Sequence, residues 1–475
     1  MVPARQTTHG ARCATLGAIA LTLLMPAAQT AADTAAPSLA GPDSEERALH
    51  FDFPGVEVGV AEHEQGPTGV TVVHFSKPVT VAVDVRGGAP GTMNTELLRL
   101  SYERPLVGAI TIAGGWVYGL GAASGVASAL KERTADAGKW EHQAIVVSAN
   151  IFDLGARRYT TNTPDEQLGR RALESARPGV FPLGARGAGR LAMQGSFYGD
   201  WQHSGQGAAL RQSGAVKTLV FTVVNAYGSI VDRDGRVQRC SHPLNGDCGP
   251  ITRRIDAYLR GLKPQAHGGQ SEGAGAEEPV AATNTTITVV VTNQKLPFWS
   301  LQRLAVQVHN SMGRAIQPFG TQYDGDTLFA ASTGELDGGG LSNEDLALLA
   351  SETAWDAVLS SLPQLPPPGP ERPLTLAPAV LHNYVGVYQF APGATARIRP
   401  RNTELEIEGH GHDSIYLPAD RAVTMRAVGA DQFVLETDRA DRLQIDRDAH
   451  GRVVGLTINS WPWAVRAQRS VGRER

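Results

Sequence analysis

The chain has 475 residues, a formal charge of −4, 42% hydrophobic and 19% charged residues, so it is neither a disordered polyelectrolyte nor a coiled coil. It also lacks the basic balance of a nucleic-acid binder. At roughly 150 residues per domain the length predicts two or three domains with a sizeable core. The 53 Gly and 29 Pro exceed the usual combined share of about 12%, which asks for many tight turns and close backbone approaches.

Residues 1–32 read as an export signal. Arg5 and Arg12 come first, then an apolar run over 14–25 too short to span a bilayer, then the small residues Ala27, Ala28, Ala31 and Ala32. The reading predicts a periplasmic or secreted protein with no membrane span. In an oxidising compartment Cys240 and Cys248 are expected to form a local disulfide. His242 is the single further soft ligand in their loop, so no metal is expected there.

From about residue 49 to 362 apolar strand-like runs alternate with helical patterns, which predicts an α/β (α+β) architecture. Strands are expected at 69–75, 107–113, 143–149, 219–226 and 286–292. Helices are expected over 121–133 and around Leu301, Leu304, Ala305 and Val308, spaced i, i+3, i+4, i+7. A third should start at Ser342, whose partner Asp345 three residues on makes a capping-box pattern, and run to Leu362. The stretch 261–283, poor in apolar residues and rich in Gly and Glu, predicts an exposed flexible loop within this domain. A proline-rich linker follows over 363–378. Beyond it, over 379–475, short strands with period-two alternation and a turn at Asp448-Ala449-His450-Gly451 predict a small antiparallel β-barrel or sandwich.

Four pieces of the first domain could carry chemistry. Gly87-Gly88-Ala89-Pro90-Gly91 reads most simply as a tight loop with close packing. Gly114-Gly115 through Gly125 stands between a strand and a helix, where a dinucleotide fingerprint would be, but its glycines have one residue too many and no acidic residue follows at the right distance; no nucleotide cofactor is expected. Asn284-Thr285 follows the flexible stretch and enters a strand. It reads either as a polar strand entry or as a cleavage site that turns Thr285 into a chain terminus whose own amine is a base for its hydroxyl. Asp324-Gly325-Asp326 reads either as a turn or as two carboxylates on one face of an extended segment, able to meet one hydroxyl or ammonium group.

Together these pieces resemble the DmpA-type peptidases, a family of L-aminopeptidase/D-esterases, β-peptidyl aminopeptidases and nylon-oligomer hydrolases. The likeness runs through Gly69-Val70-Thr71-Val72-Val73, the run from Asp84 to Thr92, Gly114-Gly115 with Tyr118-Gly119-Leu120, Ile151-Phe152-Asp153-Leu154-Gly155, Val223-Val224-Asn225-Ala226, Asn284-Thr285-Thr286-Ile287 and Asp324-Gly325-Asp326-Thr327, in order over residues 55–362. It implies an N-terminal-nucleophile hydrolase with a four-layer αββα fold. Self-cleavage between Asn284 and Thr285 would leave two chains together, in a homo-oligomer that takes small peptide or amide substrates without a cofactor. Thr285 would be the nucleophile, Asn225 an oxyanion donor, and Asp324 with Asp326 the pair that orients the nucleophile. Where many relatives carry a lysine, the local match here is His203. The final segment resembles the lipocalin-like barrel of β-lactamase-related hydrolases, through Asn383-Tyr384-Val385-Gly386-Val387-Tyr388.

Two readings from other classes stand beside this one. The chain could be an uncut binding or assembly protein on the same fold. It could instead be a serine β-lactamase-like hydrolase using Ser128, which with Lys131 fits Ser-x-x-Lys but lacks the Lys-Thr-Gly and Ser-Asp-Asn companions. His410-Gly411-His412-Asp413 reads as a solvated turn rather than a metal site.

Overall fold

The computed structural model describes residues 47–63, 67–99, 106–134, 138–139, 142–154, 162–240, 247–262, 284–364, 372–411, 417–418, 421–437, 441–458 and 464–470. The expected export signal, the Gly-rich stretch beyond residue 262, the proline run over 365–370 and His412-Asp413 lie outside these residues.

The first part of the chain is built from strands β1 (Val56–His63), β2 (Thr68–Val85), β3 (Leu106–Ala113), β4 (Ile145–Asn150), β5 (Gln206–Ser213), β6 (Val216–Asn225), β7 (Thr285–Gln294) and β8 (Thr327–Leu336). Its main helices are α1 (Gly121–Arg133), α2 (Glu166–Glu174), α3 (Ile251–Gly261), α4 (Phe298–Ser311) and α5 (Asn343–Ser360). Strand β2 is the joint of this structure. Its first half pairs with β1 and β3 through residues 68–75, and its last six residues pair with β8. Between them Ser76, Lys77 and Pro78 are exposed, where the pairing with β3 skips from His74 to Val79. Pro78 has no N–H to give a ladder and occupies the gap where none is asked for.

The result is two half-sheets, β1-β2-β3-β4 and β5-β6-β7-β8-β2, and the alternation of side chains along each strand defines what lies between and outside them. In β7, Ile287, Val289 and Val291 meet Val73, Phe75, Ile110 and Ile112 of the other half-sheet. Val290, one residue out of phase, meets Leu301, Leu304, Ala305 and Val308 of α4 and Leu346, Ala350 and Ala354 of α5. In the other half-sheet Val70 and Val72 pack outward on Ala122, Val126 and Leu130 of α1 and Leu168 of α2. The layers therefore run helices, sheet, sheet, helices, the expected αββα order. The α4 stripe is buried at each of its i, i+3, i+4 and i+7 positions, each leucine contributing about 1.5–3 kcal/mol by leaving water. Ser342 caps α5 by accepting from the Asp345 N–H at 3.1 Å.

Gly114-Gly115 has a local task rather than a nucleotide one. A Cβ on Gly114 would stand 2.2 Å from Asp153 Oδ2, and the Gly115 N–H donates to Asp153 Oδ1 at 2.8 Å with φ at 79°. Ser128 and Lys131 both lie within α1.

The last part of the chain is a closed antiparallel barrel of eight strands: β9 (Gly386–Ala391), β10 (Ala394–Arg401), β11 (Glu404–His410), β12 (Ala422–Ala427), β13 (Gln432–Leu435), β14 (Arg442–Arg447), β15 (Val453–Ile458) and β16 (Val465–Arg469). Its interior is filled by period-two residues such as Ala396 and Ile398, Leu405 and Ile407, Val423 and Met425, and Leu443 and Ile445, as a barrel of this strand number requires. Tyr388, fully buried, donates its hydroxyl to Tyr384 O at 2.7 Å. Among the described residues no helix is long and apolar enough to cross a membrane, and no cluster of three or more His, Cys, Asp or Glu could hold a metal ion.

Candidate active site

Thr285 opens β7 at the end of the layer between the two half-sheets, and its register partner across β6 is Asn225. Ile287 and Val223, each two residues away, face the inter-sheet core, so Thr285 and Asn225 stand side by side on that face. Both are buried, Thr285 with 2% of its surface exposed.

The Asn284 carbonyl is held from two directions. Thr285 Oγ1 donates to Asn284 O at 2.5 Å, and the Gly325 N–H donates to the same oxygen at 3.0 Å. The side chain of Asn284 is fixed as well, its Oδ1 accepting from Ser196 Oγ at 3.2 Å. The hydroxyl thus lies against the carbonyl group it would attack, and a main-chain donor polarises that carbonyl. Gly325 must be glycine for this packing: a Cβ there would stand 2.6 Å from Thr285 Oγ1 and 2.9 Å from Ala89 O. The loop around Gly87 supports it from behind. The Ala89 N–H donates to Asp324 O at 2.9 Å, and a Cβ on Gly87 would meet Asp324 O at 2.2 Å. The tight loop read from the sequence is therefore the wall of this site.

Asp324 and Asp326 flank Gly325 with separate sets of partners. Asp324 Oδ2 accepts from the N–H and the hydroxyl of Thr321 at 2.9 and 2.7 Å. Asp326 Oδ1 accepts from the Thr286 N–H at 2.6 Å and its Oδ2 from the Gly320 N–H at 3.0 Å. The expectation from period-two spacing, a shared partner, is replaced by a division of labour. The cause is local: Asp324 sits in an isolated parallel bridge with Asn284 and β8 starts only at Thr327, so 324–326 is not a regular strand. Burial, then the neighbouring Asp324, pushes the Asp326 carboxyl well above the ordinary carboxylate range, against the pull of its N–H donors. Burial also raises Asp324.

The Asn225 carboxamide is fixed at both ends. Its Oδ1 accepts from the Met193 N–H at 2.9 Å and its Nδ2 donates to Phe152 O at 2.9 Å. A main-chain N–H can only donate and a carbonyl only accept, so these two bonds define which end of the amide is oxygen. His203 is buried and lies on a short strand paired with Met193, its carbonyl accepting from Arg239 Nη1 at 3.2 Å. Its main-chain link to the centre therefore runs through Met193. Cys240 and Cys248 are joined as a disulfide, just before α3.

Beside the carboxylates a cavity of about 770 Å³ opens between α3, the end of α4 and the loop through Gly320, with Phe197, Tyr198, Tyr258 and Phe319 in its wall. Gly320, whose N–H reaches Asp326, is part of that wall. Phe197 continues the aromatic surface to Tyr227 at 5.2 Å between centroids, and Tyr227 to Tyr323 at 5.9 Å. Gly325, Met193, Ser196 and Thr321 were not singled out by sequence reasoning as functional residues. Only Gly325, standing between two predicted site residues, carried a readable signal.

The αββα sandwich brings a buried threonine, a carbonyl bonded by a main-chain donor and two buried carboxylates to one place, and the comparisons with known proteins give the chain its class, a hydrolase of the peptidase and amidohydrolase kind, and its family. The model for peptidase family S58 matches residues 50–362, and the chain belongs to this family. It is 42% identical over 328 residues to a 6-aminohexanoate-oligomer endohydrolase of Paenarthrobacter ureafaciens, covering 66% of this chain and 85% of the relative. To an uncharacterized aminopeptidase of Mycobacterium leprae it is 33% identical, covering 60% and 78%. Among solved structures, a Burkholderia sp. β-aminopeptidase is matched at a TM-score of 0.47 and 17% identity, over 65% of this chain and 84% of that one.

Proposed function

We propose that this chain is an exported, self-cleaving amidohydrolase whose nucleophile is Thr285. The observation that carries the reading is the convergence of Thr285 Oγ1 and the Gly325 N–H on Asn284 O. In the uncut chain Thr285 Oγ attacks the Asn284 carbonyl carbon. The C–N bond breaks, the hydroxyl proton passes to the departing nitrogen, and the acyl group rests on Oγ as an ester. Water then hydrolyses the ester, leaving a carboxylate on Asn284 and a free hydroxyl and α-amine on Thr285. The Gly325 N–H stabilises the negative charge that grows on Asn284 O.

The mature residue repeats the chemistry on an external amide. Its amine accepts the hydroxyl proton and returns it to the leaving amine, and the resulting acyl-enzyme is hydrolysed by water. Asn225, beside Thr285, donates from Nδ2 to the substrate oxyanion. Asp326 holds the first peptide group after the nucleophile through the Thr286 N–H, and Asp324 holds the loop that carries Gly325. His203 backs this assembly through its pairing with Met193. The 42% identical relative named for 6-aminohexanoate oligomers, with the aromatic wall beside the carboxylates, supports small linear amides or peptides as substrates. The two chains, 33–284 and 285–475, stay in one core because β6 and β7 remain paired, and the family resemblance supports a homo-oligomer.

Intact mass and denaturing electrophoresis of the purified protein test the reading. Two chains, one ending at Asn284 and one starting at Thr285, are expected, together with amide hydrolysis, and Thr285→Ala should give a single inactive chain. A single intact chain that still hydrolyses amides would overturn it.

A further inference from the structure

The segment around Met193 belongs to the hydrolase part of the chain, yet its side chains lie in the core of the barrel part. Leu191 and Met193 are buried, at 0% and 3% exposure, in the same apolar cluster as Leu381, Tyr384, Tyr388 and Phe433, and Trp201 packs against that cluster from the side. Among the described residues no other residue before Leu376 enters it. The main chain of Met193 faces the other way: its N–H is the donor to Asn225 Oδ1 at 2.9 Å. One residue therefore has its side chain in the barrel's core and its N–H on the carboxamide beside Thr285.

We propose that Met193 is a positioning residue through which the C-terminal barrel orients the Asn225 carboxamide. The inference rests on the assignment of Asn225 as oxyanion donor made above. The Phe152 carbonyl holds the Nδ2 end of the amide and the Met193 N–H holds the Oδ1 end, and with it the direction of Nδ2. The barrel sets where that N–H stands, because a side chain packed at interior density cannot shift without its neighbours. Removing the Met193 side chain should let the segment relax, and a donor displaced by a fraction of an ångström stabilises the oxyanion less, while substrate binding elsewhere is untouched.

The test is a double-mutant cycle on the full-length protein with a soluble amide substrate. Met193→Ala should lower kcat about tenfold with KM changed by less than about twofold, and Met193→Leu should recover most of the loss. In an Asn225→Ala background, Met193→Ala should cost nothing further, because the group it acts through is gone. Leu130→Ala, a buried truncation in α1, controls for general destabilisation and should leave kcat unchanged below its melting temperature. If Met193→Ala fails to fold, Met193→Val, a milder truncation, takes its place in the same cycle. A wild-type kcat in the Met193 variant, an equal loss in both backgrounds, or the same loss in Leu130→Ala would overturn the proposal. Each of those results is obtained with Asn225→Ala itself slowed, whereas an Asn225→Ala enzyme with wild-type kcat would overturn the assignment of Asn225 instead.

Discussion

Gly325 packs against Thr285 so closely that a Cβ on that glycine would stand 2.6 Å from the Thr285 hydroxyl. The contact ties the Thr285 hydroxyl to the donor of the Asn284 carbonyl, since the same glycine supplies the N–H that reaches Asn284 O at 3.0 Å. Gly325→Ala should therefore displace the hydroxyl and the donor together. Processing is expected to slow by about a hundredfold or more, seen as persistence of the uncut chain over a time course of denaturing gels. Processing at the wild-type rate in this variant would remove Gly325 from the mechanism.

The Cys240–Cys248 disulfide closes a short loop, and Cys248 packs beside Val231, Val237 and Ile251, the residue that opens α3. Constraint of the unfolded chain by a loop of this length is worth about 2–3 kcal/mol on chain-entropy grounds. Cys240→Ser with Cys248→Ser should lower the melting temperature of the oxidised protein, and reductant should lower the wild type toward the same value. A melting temperature indifferent to both would show that α3 is held by its other contacts alone.

Much of this fold was legible because its elements obey local rules. The apolar stripe of α4, the Ser342 cap of α5 and the alternation of the barrel strands are each short-range patterns. Strand β2 was readable only in part. Ser76-Lys77-Pro78 looks like a strand end in sequence, and only the meeting of two half-sheets lets the chain continue extended to Val85. Thr285 and Asn225 stood out in sequence through their motifs, but their adjacency follows from the register of β6 on β7, which no local pattern states. Met193 was invisible for a stronger reason: its bond to Asn225 is made by its N–H, and a main-chain donor leaves no mark on residue type. The two carboxylates stood out in the sequence while their partners did not, because those partners are mostly main-chain N–H groups, such as those of Gly320, Thr321 and Thr286.

Asp324 and Asp326 give the site a pH dependence of defined sign. Burial and the adjacent Asp324 raise the Asp326 carboxyl, so its anion, the form that accepts the Thr286 and Gly320 N–H groups and offsets a positive charge on the nucleophile, fills above the ordinary carboxylate range near about 4. Self-cleavage of freshly refolded precursor should accelerate as pH rises through that raised value. Asp324→Asn removes the like charge and should move the acidic limb to lower pH. Stability runs the opposite way. A carboxyl raised on folding binds its proton more tightly in the native state than in the unfolded chain, so its contribution is complete below the unfolded value and is lost as pH rises through the native one. Thermal melts of Thr285→Ala precursor should show that loss, and a smaller one with Asp324→Asn added. An acidic limb that stays in place in Asp324→Asn would mean that another group titrates.

Asn225 separates a donor from a mere polar contact. Asn225→Ala removes the amide and leaves the Met193 N–H and Phe152 O without it, which should cost about 1–3 kcal/mol of stability and lower kcat by about 10²–10³, with processed chains still forming through the Gly325 donor. Asn225→Asp keeps an acceptor for the Met193 N–H but carries no N–H for the substrate oxygen, and it sets a negative charge where the oxyanion develops. It should therefore retain less of the activity than Asn225→Ala and no more of the stability, because one carboxylate oxygen then faces Phe152 O, an acceptor to which the amide Nδ2 had donated. Steady-state kinetics and melting curves on the two variants decide the matter: an Asn225→Asp enzyme faster than the Asn225→Ala enzyme would mean that this position serves the reaction through charge or packing, and that the oxyanion takes its donors from elsewhere.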